Sequence, residues 1–298
     1  RMRFITTSEH AQMRLDKFLT EHFPDFSRTH LQKLVQSGQV MVNGQRVTPH
    51  YFLKQGDEVT ATIEPIADLL VTSNPEIVLN IVHEEPDFII LNKPAGLVVH
   101  QAEGHKAPDT LVNGLLARYP EIARVGDDTI RPGIMHRLDA DVSGVMVIAR
   151  TQDMFDHLKR QFKLHEAQKE YIAVVDGAVS PSSGVIEFAI ARKGAKMVAR
   201  PKGAEGRKAV TEYEVMTAGQ QDSRTTLRIQ TRTGRTHQIR VHLKAKGWPI
   251  VGDRLYESKS SKSSEIGKSS RLMLHARRLA FKDLKGERRE FIIEPPFV

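Results

Sequence analysis

The 298-residue sequence contains no cysteine and only one tryptophan. Without cysteine, the chain has no disulfide, thiolate-bound zinc, iron–sulfur cluster or cysteine nucleophile. Long apolar runs are also absent, because the longest, such as 144–149, fall far short of the ~20 residues of a membrane span. Residues 1–20 contain no continuous apolar stretch of the kind that a signal peptide carries. We therefore expect a cytoplasmic protein with no membrane partner.

The composition is that of a folded, basic protein. Hydrophobic residues make up 40% and charged residues 27% of the chain, which is typical of globular domains. Its 44 Lys and Arg exceed 36 Asp and Glu, giving a net charge of +8. Such a charge attracts polyanions, although on charge alone a basic protein without a nucleic-acid partner is also compatible. The length favours one large and one small domain.

The first 64 residues have the pattern of a small module of helices and strands. Apolar residues of 14–23 fall on one helical face, and a second helix is predicted from Ser27 to Ser37, with Gly38 at its left-handed end. The pair Asn43-Gly44 lies between two alternating runs and predicts a hairpin, and a strand is predicted at 58–63. Residues 65–76 are predicted to be a linker.

The motifs of this module, RLDKFL, SR, GxVxVNG and GD in that order, resemble the alpha-L RNA-binding motif. The resemblance implies that residues 1–64 bind RNA. On the second helix, Arg28, His30 and Lys33 lie along one exposed side, where we expect RNA contacts.

Residues 77–298 mix strand and helix patterns without a regular βαβ alternation. This arrangement predicts an α+β domain around a largely antiparallel mixed sheet. Helices are predicted at 110–119 and 154–165; strands are predicted at 88–91, 145–148, 171–175, 226–229 and 291–293. The Ser- and Lys-rich segment 258–271 is predicted to be a surface loop, either touching RNA or without a function.

Polar residues cluster in two stretches that carry candidate chemistry. His136, Arg137 and Asp139 precede a Gly-bounded apolar strand, and from spacing alone a structural ion pair is as compatible as a catalytic carboxylate. Residues 232–247 are rich in basic side chains, and on a helix Arg240 and Lys244 would share one face directed at phosphates. A third stretch, 192–208, is also strongly basic.

Five motifs in fixed order resemble the RluA-type family of pseudouridine synthases. The match spans residues 78–298 and consists of HRLD-x-x-x-SG, KEY-x-A-V-x-x-G, GRTHQIRVHL, GD-x-x-Y and LHA-x-x-L-x-F. The sequence departs from the family pattern mildly, with Val142 in place of a usual threonine and LKGE in place of HP-x-x-GE. The resemblance implies an enzyme that isomerises uridine in RNA to pseudouridine, with large-subunit ribosomal RNA, or an assembly intermediate containing it, as the partner.

Site residues follow from the same resemblance. It implies that Asp139 is the catalytic aspartate, that Arg137 occupies space around the flipped nucleotide, that Tyr171 stacks on the target base and that Arg240 pairs with Asp139. Further RNA contacts are expected from a set of basic and histidine side chains, comprising His136, Arg192, Lys193, Arg200, Lys202, Arg235, His237 and Lys244.

No organic cofactor or metal is expected, because no residue set has metal-ligand spacing and no glycine-rich nucleotide loop follows a strand. We expect a monomer. Three alternatives stay open: a synthase acting on transfer RNA, a non-catalytic RNA-binding or ribosome-assembly factor, and a nucleosidase or glycosidase, which would use a pair of carboxylates.

Overall fold

The computed structural model describes residues 2–23, 26, 28–62, 71–101, 107–194, 196–201, 203–218, 224–256 and 271–297. The first half of the predicted linker, 65–70, and all but the last residue of the Ser- and Lys-rich segment lie outside the described residues, as does Lys202. The side chains of Arg28, His30 and Lys33 lie outside them too. The RNA contacts expected of these four residues stay predictions.

A three-stranded antiparallel sheet and two helices form the N-terminal part, with strand order β1-β3-β2. The elements are β1 (Met2–Ile5), α1 (Leu15–His22), α2 (Arg28–Gln36), β2 (Val40–Val42) and β3 (Glu58–Ala61). Phe18, Leu31 and Val59 are fully buried in their shared core. Both predicted helices are confirmed, and Gly38 has the expected left-handed backbone at φ 80°.

The tight turn at Asn43-Gly44 is confirmed, but the hairpin is not. Both residues have positive φ, 50° and 72°. Beyond them only Gln45 forms a bridge, to Val42, and β2 pairs instead with β3. Asn43 explains the difference, because its side chain receives the Glu58 backbone N–H at 2.8 Å and donates to Asp57, which draws β3 alongside.

The second part is built on a nine-stranded sheet with order β4-β5-β6-β14-β7-β13-β12-β8, in which β15 also pairs with β14. Its strands are β4 (Ile81–Glu84), β5 (Phe88–Lys93), β6 (Ser143–Ala149), β7 (Gln168–Asp176), β8 (Ser183–Ile186), β12 (Thr211–Ala218), β13 (Arg224–Thr231), β14 (Leu274–Lys282) and β15 (Arg288–Ile292). Only β6 and β14 pair in parallel among the described strands. The predicted α+β class with a largely antiparallel mixed sheet is confirmed.

Three helices accompany this sheet in the described residues: α3 (Leu111–Arg118), α4 (Gln152–Leu164) and α5 (Gln238–Ala245). The amphipathic α4 starts at Thr151, whose hydroxyl accepts the Met154 N–H, and ends at His165 with a left-handed backbone. A separate small sheet, hereafter the basic sheet, consists of β9 (Ala189–Lys193), β10 (Lys196–Arg200) and β11 (Arg207–Lys208).

The parallel pairing of β6 with β14 depends on Gly144. This residue lies opposite Ala276 and has φ 126°, a backbone conformation that side chains rarely allow. A Cβ at this position would collide with the Ala276 carbonyl. The glycine therefore allows the backbone of β6 to approach β14 closely at its first residues. This contact fixes the position at which the loop 133–142 ends.

Candidate active site

Asp139 lies in the loop before β6 and meets a residue from α5. Its Oδ2 accepts a hydrogen bond from Arg240 Nη1 at 3.2 Å, across 101 residues of sequence. The Asp139 side chain is 19% exposed and that of Arg240 only 4%. A cavity of about 670 Å³ opens beside this pair. Its volume is in the range of small-molecule sites and suits a single nucleotide.

Asp253 holds the other side of the Arg240 guanidinium. Arg240 Nε and Nη2 donate to its two carboxylate oxygens at 2.8 Å each, a bidentate geometry. Asp253 also accepts the backbone N–H groups of Leu255 and Tyr256, so it is itself fixed. Burial opposes the charge of Arg240, but the bonds to Asp253 and the charge of Asp139 raise its pKa above the usual value.

Tyr171 lines the same cavity from the middle of β7. Its neighbours across the sheet are Ile229 on β13 and Ala276 on β14, which hold the strand rigidly. Burial, and after it the negative charge of Asp139, raises the pKa of Tyr171 far above its usual value. The Tyr171 side chain is therefore uncharged, and its ring lines the cavity that Asp139 also lines.

His136 also lines the cavity, as a neutral ring. Its Nε2 accepts the Val147 backbone N–H at 3.1 Å, and the ring stacks on Phe162 with centroids 4.6 Å apart. Burial, with the charge of Lys169 acting in the same direction, lowers the pKa of His136 to about 3. His136 carries no charge for a phosphate at neutral pH and instead ties the loop before β6 to that strand.

The remaining predicted site residues of this region differ in their exposure and in their contacts near Asp139. Arg137 is exposed and lines both the main cavity and a neighbouring one of about 490 Å³. Arg235 lies at the main cavity, where its Nε donates to the Lys208 carbonyl. His237 Nε2 is 3.9 Å from Asp139 Oδ2. Lys244 is exposed on α5, so it does not share the buried position of Arg240.

Arg192, Lys193 and Arg200 are exposed on the basic sheet. That sheet reaches the active-site region through β10, because the Met197 N–H donates to the Tyr256 hydroxyl at 3.0 Å and Lys196 Nζ donates to the Leu255 carbonyl. The bond from Arg235 Nε to the Lys208 carbonyl joins the two basic stretches, 192–208 and 232–247, that are separate in the sequence.

Sequence analysis missed Lys93, which is fully buried behind Asp139. Its Nζ donates to the carbonyls of Pro94, Leu97 and Ala140 at 2.8 Å each. Burial lowers the pKa of Lys93 to about 7, although Asp139 and Asp141 oppose the shift. Through the Ala140 carbonyl it anchors the residue next to Asp139. The signal in the sequence that could have identified Lys93 is a lysine at the end of an apolar, strand-like run.

Among the described residues, no group of three His, Asp or Glu side chains is placed to hold a metal ion. None of the helices in this part of the chain combines the length and hydropathy that a bilayer-crossing segment needs.

Asp139 is the one carboxylate among the described residues that line the main cavity. A single half-buried carboxylate, bonded to an arginine and lining the same cavity as a tyrosine ring, suits covalent or proton-transfer chemistry on a bound nucleotide. A glycosidase would place two carboxyl groups about the scissile bond. Together with a basic surface and the mixed sheet, this geometry defines the class of enzymes that modify RNA bases.

The comparison with known families makes the assignment specific. Residues 87–245 match the family described as RNA pseudouridylate synthase, and residues 13–59 match the S4 domain. The chain belongs to the RNA pseudouridine synthase family of RluA type, whose members are isomerases, and it carries an N-terminal S4 domain. The resemblance stated from the motifs is confirmed.

Several relatives cover most of the chain. A protein of Aquifex aeolicus named "Uncharacterized RNA pseudouridine synthase" is 40% identical over 97% of this chain and 92% of its own length. The "Ribosomal large subunit pseudouridine synthase D" of Xylella fastidiosa is 41% identical over 83% of this chain and 72% of its own. The structure of "Human RNA Pseudouridylate Synthase Domain Containing 1" superposes with a TM-score of 0.60 at 28% identity, covering 79% and 88% of the two chains.

Proposed function

We propose that this enzyme converts uridine to pseudouridine in large-subunit ribosomal RNA, with Asp139 as the catalytic residue. The observation that carries the proposal is the bond between Asp139 and Arg240 at the edge of a nucleotide-sized cavity that Tyr171 also lines. The isomerisation is redox-neutral, so a carboxylate and a captive base suffice for it.

The reaction requires the uridine to leave its stack, because the reacting atoms are inaccessible inside a helix. Flipping costs a few kcal/mol. Stacking on the Tyr171 ring offsets part of this cost, since base–aromatic stacking contributes about 1–3 kcal/mol. Arg137, exposed at the junction of the two cavities, occupies space that the base vacates.

Asp139 acts on the sugar in either of two ways. Its carboxylate attacks the anomeric carbon, or it takes the 2′ proton to give a glycal, and in both routes the C–N bond breaks before the base rejoins through carbon five. Arg240 binds Oδ2, and no hydrogen bond to Oδ1 is recorded among the described residues. Oδ1 is therefore the oxygen that acts in either route.

Large-subunit ribosomal RNA is the proposed substrate because relatives such as that of Xylella fastidiosa bear this name and because an S4 domain adds an RNA-binding surface. The proposed substrate is this RNA either free or within a ribosomal assembly intermediate. Transfer RNA is the second candidate. A purely RNA-binding factor is disfavoured because Asp139, Tyr171 and Arg240 are all present and lie around one cavity.

Tritium release from ribosomal RNA labelled at uridine carbon five tests the proposal, with no metal or cofactor added. Wild type should release tritium, Asp139→Asn should not, and the matched variant Asp141→Asn should retain most of the rate because Asp141 is an exposed carboxylate of the same loop. If tritium were released only from labelled transfer RNA, transfer RNA would replace ribosomal RNA as the substrate. No release from any RNA, or normal turnover by Asp139→Asn, would overturn the proposal.

A further inference from the structure

His237 has an unusual position at the start of α5. Its backbone is left-handed, with φ 53° and ψ 23°, whereas N-cap residues are normally extended. Its side chain makes no capping hydrogen bond. Non-glycine residues in this conformation are uncommon and concentrate at functional sites. The residue lines the main cavity.

Both nitrogens of the His237 ring face polar groups. Nδ1 lies 2.8 Å from the Tyr256 hydroxyl, and Nε2 lies 3.9 Å from Asp139 Oδ2. The Tyr256 oxygen already accepts the Met197 N–H at 3.0 Å. Among the described residues, His237 Nδ1 is the only recorded acceptor for the hydroxyl proton of Tyr256. A Tyr256 hydroxyl that donates to Nδ1 leaves the ring proton on Nε2, on the side that faces the carboxylate.

Burial favours the neutral form of the His237 ring. Burial lowers the pKa of His237 below its usual value; Asp139 and Asp253 oppose the shift, while Arg240 and Arg137 add to it. Among the described residues, the Tyr256 ring and hydroxyl also pack against the His237 ring. A neutral ring with its proton on Nε2 would point that proton toward Asp139 Oδ2, 3.9 Å away, and would leave the carboxylate charge intact.

We propose that His237 and Tyr256 form a positioning pair for Asp139: the Tyr256 hydroxyl fixes the ring tautomer, and the Nε2 proton shares Oδ2 with Arg240. This inference rests on the proposed role of Asp139. Held by two donors on one oxygen, the carboxylate presents Oδ1 to the sugar. The distance of 3.9 Å is longer than a hydrogen bond, as is common before substrate binds, and it shortens in the complex.

The pair is anchored to the basic sheet. Met197, which holds the Tyr256 hydroxyl, lies on β10 next to Lys196, and Lys196 donates to the Leu255 carbonyl beside Tyr256. Arg192 and Lys193 are exposed on the neighbouring β9.

The tautomer can be measured directly in the full-length protein without any substrate. Long-range proton–nitrogen correlation spectra of ¹⁵N-labelled protein distinguish the two ring tautomers, and the spectrum of His237→Gln identifies the signal. We expect the Nε2–H form at neutral pH in wild type and a raised His237 pKa in Tyr256→Phe, which loses the donor to Nδ1. An Nδ1–H form or a charged ring in wild type would overturn the pair.

Kinetics test the consequence for catalysis. Tyr256→Phe should lower the single-turnover rate constant about 10-fold and move the acid limb of its pH profile upward, with the RNA dissociation constant changed less than about twofold. His237→Ala should lose about 100-fold, and His237→Gln should recover part of the rate because its amide supplies a donor. These changes in rate without changes in binding separate positioning from a structural role.

Tyr213→Phe is the matched control. Tyr213 is another buried tyrosine, it packs on Trp248 away from Asp139, and no hydrogen bond of its hydroxyl is recorded among the described residues. It should keep the wild-type rate and pH profile. A Tyr256→Phe protein that matches Tyr213→Phe in both would refute the proposal. If wild type has no synthase activity, the proposed function fails, whereas the spectra still decide whether the pair exists.

Discussion

Arg240 binds two carboxylates at once, Asp139 through Nη1 at 3.2 Å and Asp253 through Nε and Nη2 at 2.8 Å. The shorter, bidentate contacts show that Asp253 fixes the guanidinium. Asp139 is then oriented by an already immobile partner. Reactivity at Asp139 should consequently depend on a residue that does not line the main cavity.

Asp253→Asn should therefore impair catalysis from a distance. The change removes a charge partner from a buried arginine, which typically costs about 3–5 kcal/mol of stability. We expect a large loss of tritium-release rate in the molecules that stay folded. Arg240→Lys should fail similarly, because an ammonium cannot make the bidentate contact and reach Asp139. Urea denaturation and single-turnover rates measure the two effects, and a fully active Asp253→Asn protein would contradict this coupling.

Asp139→Ala should abolish turnover while leaving RNA affinity within about threefold of wild type. Phosphate contacts dominate RNA binding, and this carboxylate makes none. Filter binding and tritium release on the same RNA provide the comparison. A loss of affinity as large as the loss of activity would show that the residue acts in binding instead.

The basic sheet should contribute affinity rather than rate. Replacing Arg192 and Arg200 by Gln removes two exposed cations, so the slope of log affinity against log salt should fall by about 0.7–0.9 for each lost phosphate contact. The rate constant at saturating RNA should change little. Lys285→Gln, an exposed lysine in the turn before β15, is the control. If wild type, the variant with both arginines replaced and Lys285→Gln had equal salt slopes, the basic sheet would not contact RNA phosphates.

Lys93 should make stability depend on pH in a defined direction. Burial lowers its pKa to about 7 from the 10.5 of an ordinary lysine. Between these values the unfolded chain binds more protons than the folded chain, so the contribution of Lys93 to stability rises with pH, by up to about 1.4 kcal/mol per unit. Wild type should gain stability relative to Lys93→Met from pH 7 to 10. If the free energies of unfolding of wild type and Lys93→Met, measured by denaturation, changed equally between pH 7 and 10, the prediction would be contradicted.

Gly144→Ala should damage the site without touching any of its polar groups. The new methyl group would meet the Ala276 carbonyl, and the positive φ adds backbone strain. We expect β6 to move off β14 and the loop carrying Asp139 to shift with it, lowering both thermal stability and activity. Gly177→Ala also has positive φ but open space around it, so it isolates the effect of strain from that of the collision.

Sequence reasoning predicted the strands and helices well because their periodicity is local. Strand β7 and helix α4, for example, were expected from alternation and from an amphipathic stripe. The approach of Arg240 to Asp139 was expected from a family resemblance. Asp253, Lys93 and the bond between His237 and Tyr256 were not predicted, because each depends on contacts between segments distant in sequence. The pairing of β2 with β3 was missed for the same reason.

The position of β14 has a consequence for biosynthesis. This strand lies between β6 and β7, although both precede it by about a hundred residues or more along the chain. Asp139 precedes β6 and Tyr171 lies on β7, so their mutual placement depends on a strand that leaves the ribosome much later. Until β14 has left the ribosome, Asp139, the carboxylate that we propose to react, and Tyr171, the ring that we propose to stack, lie on pieces of sheet that β14 has not yet joined. The proposed site is therefore expected to assemble only late in synthesis.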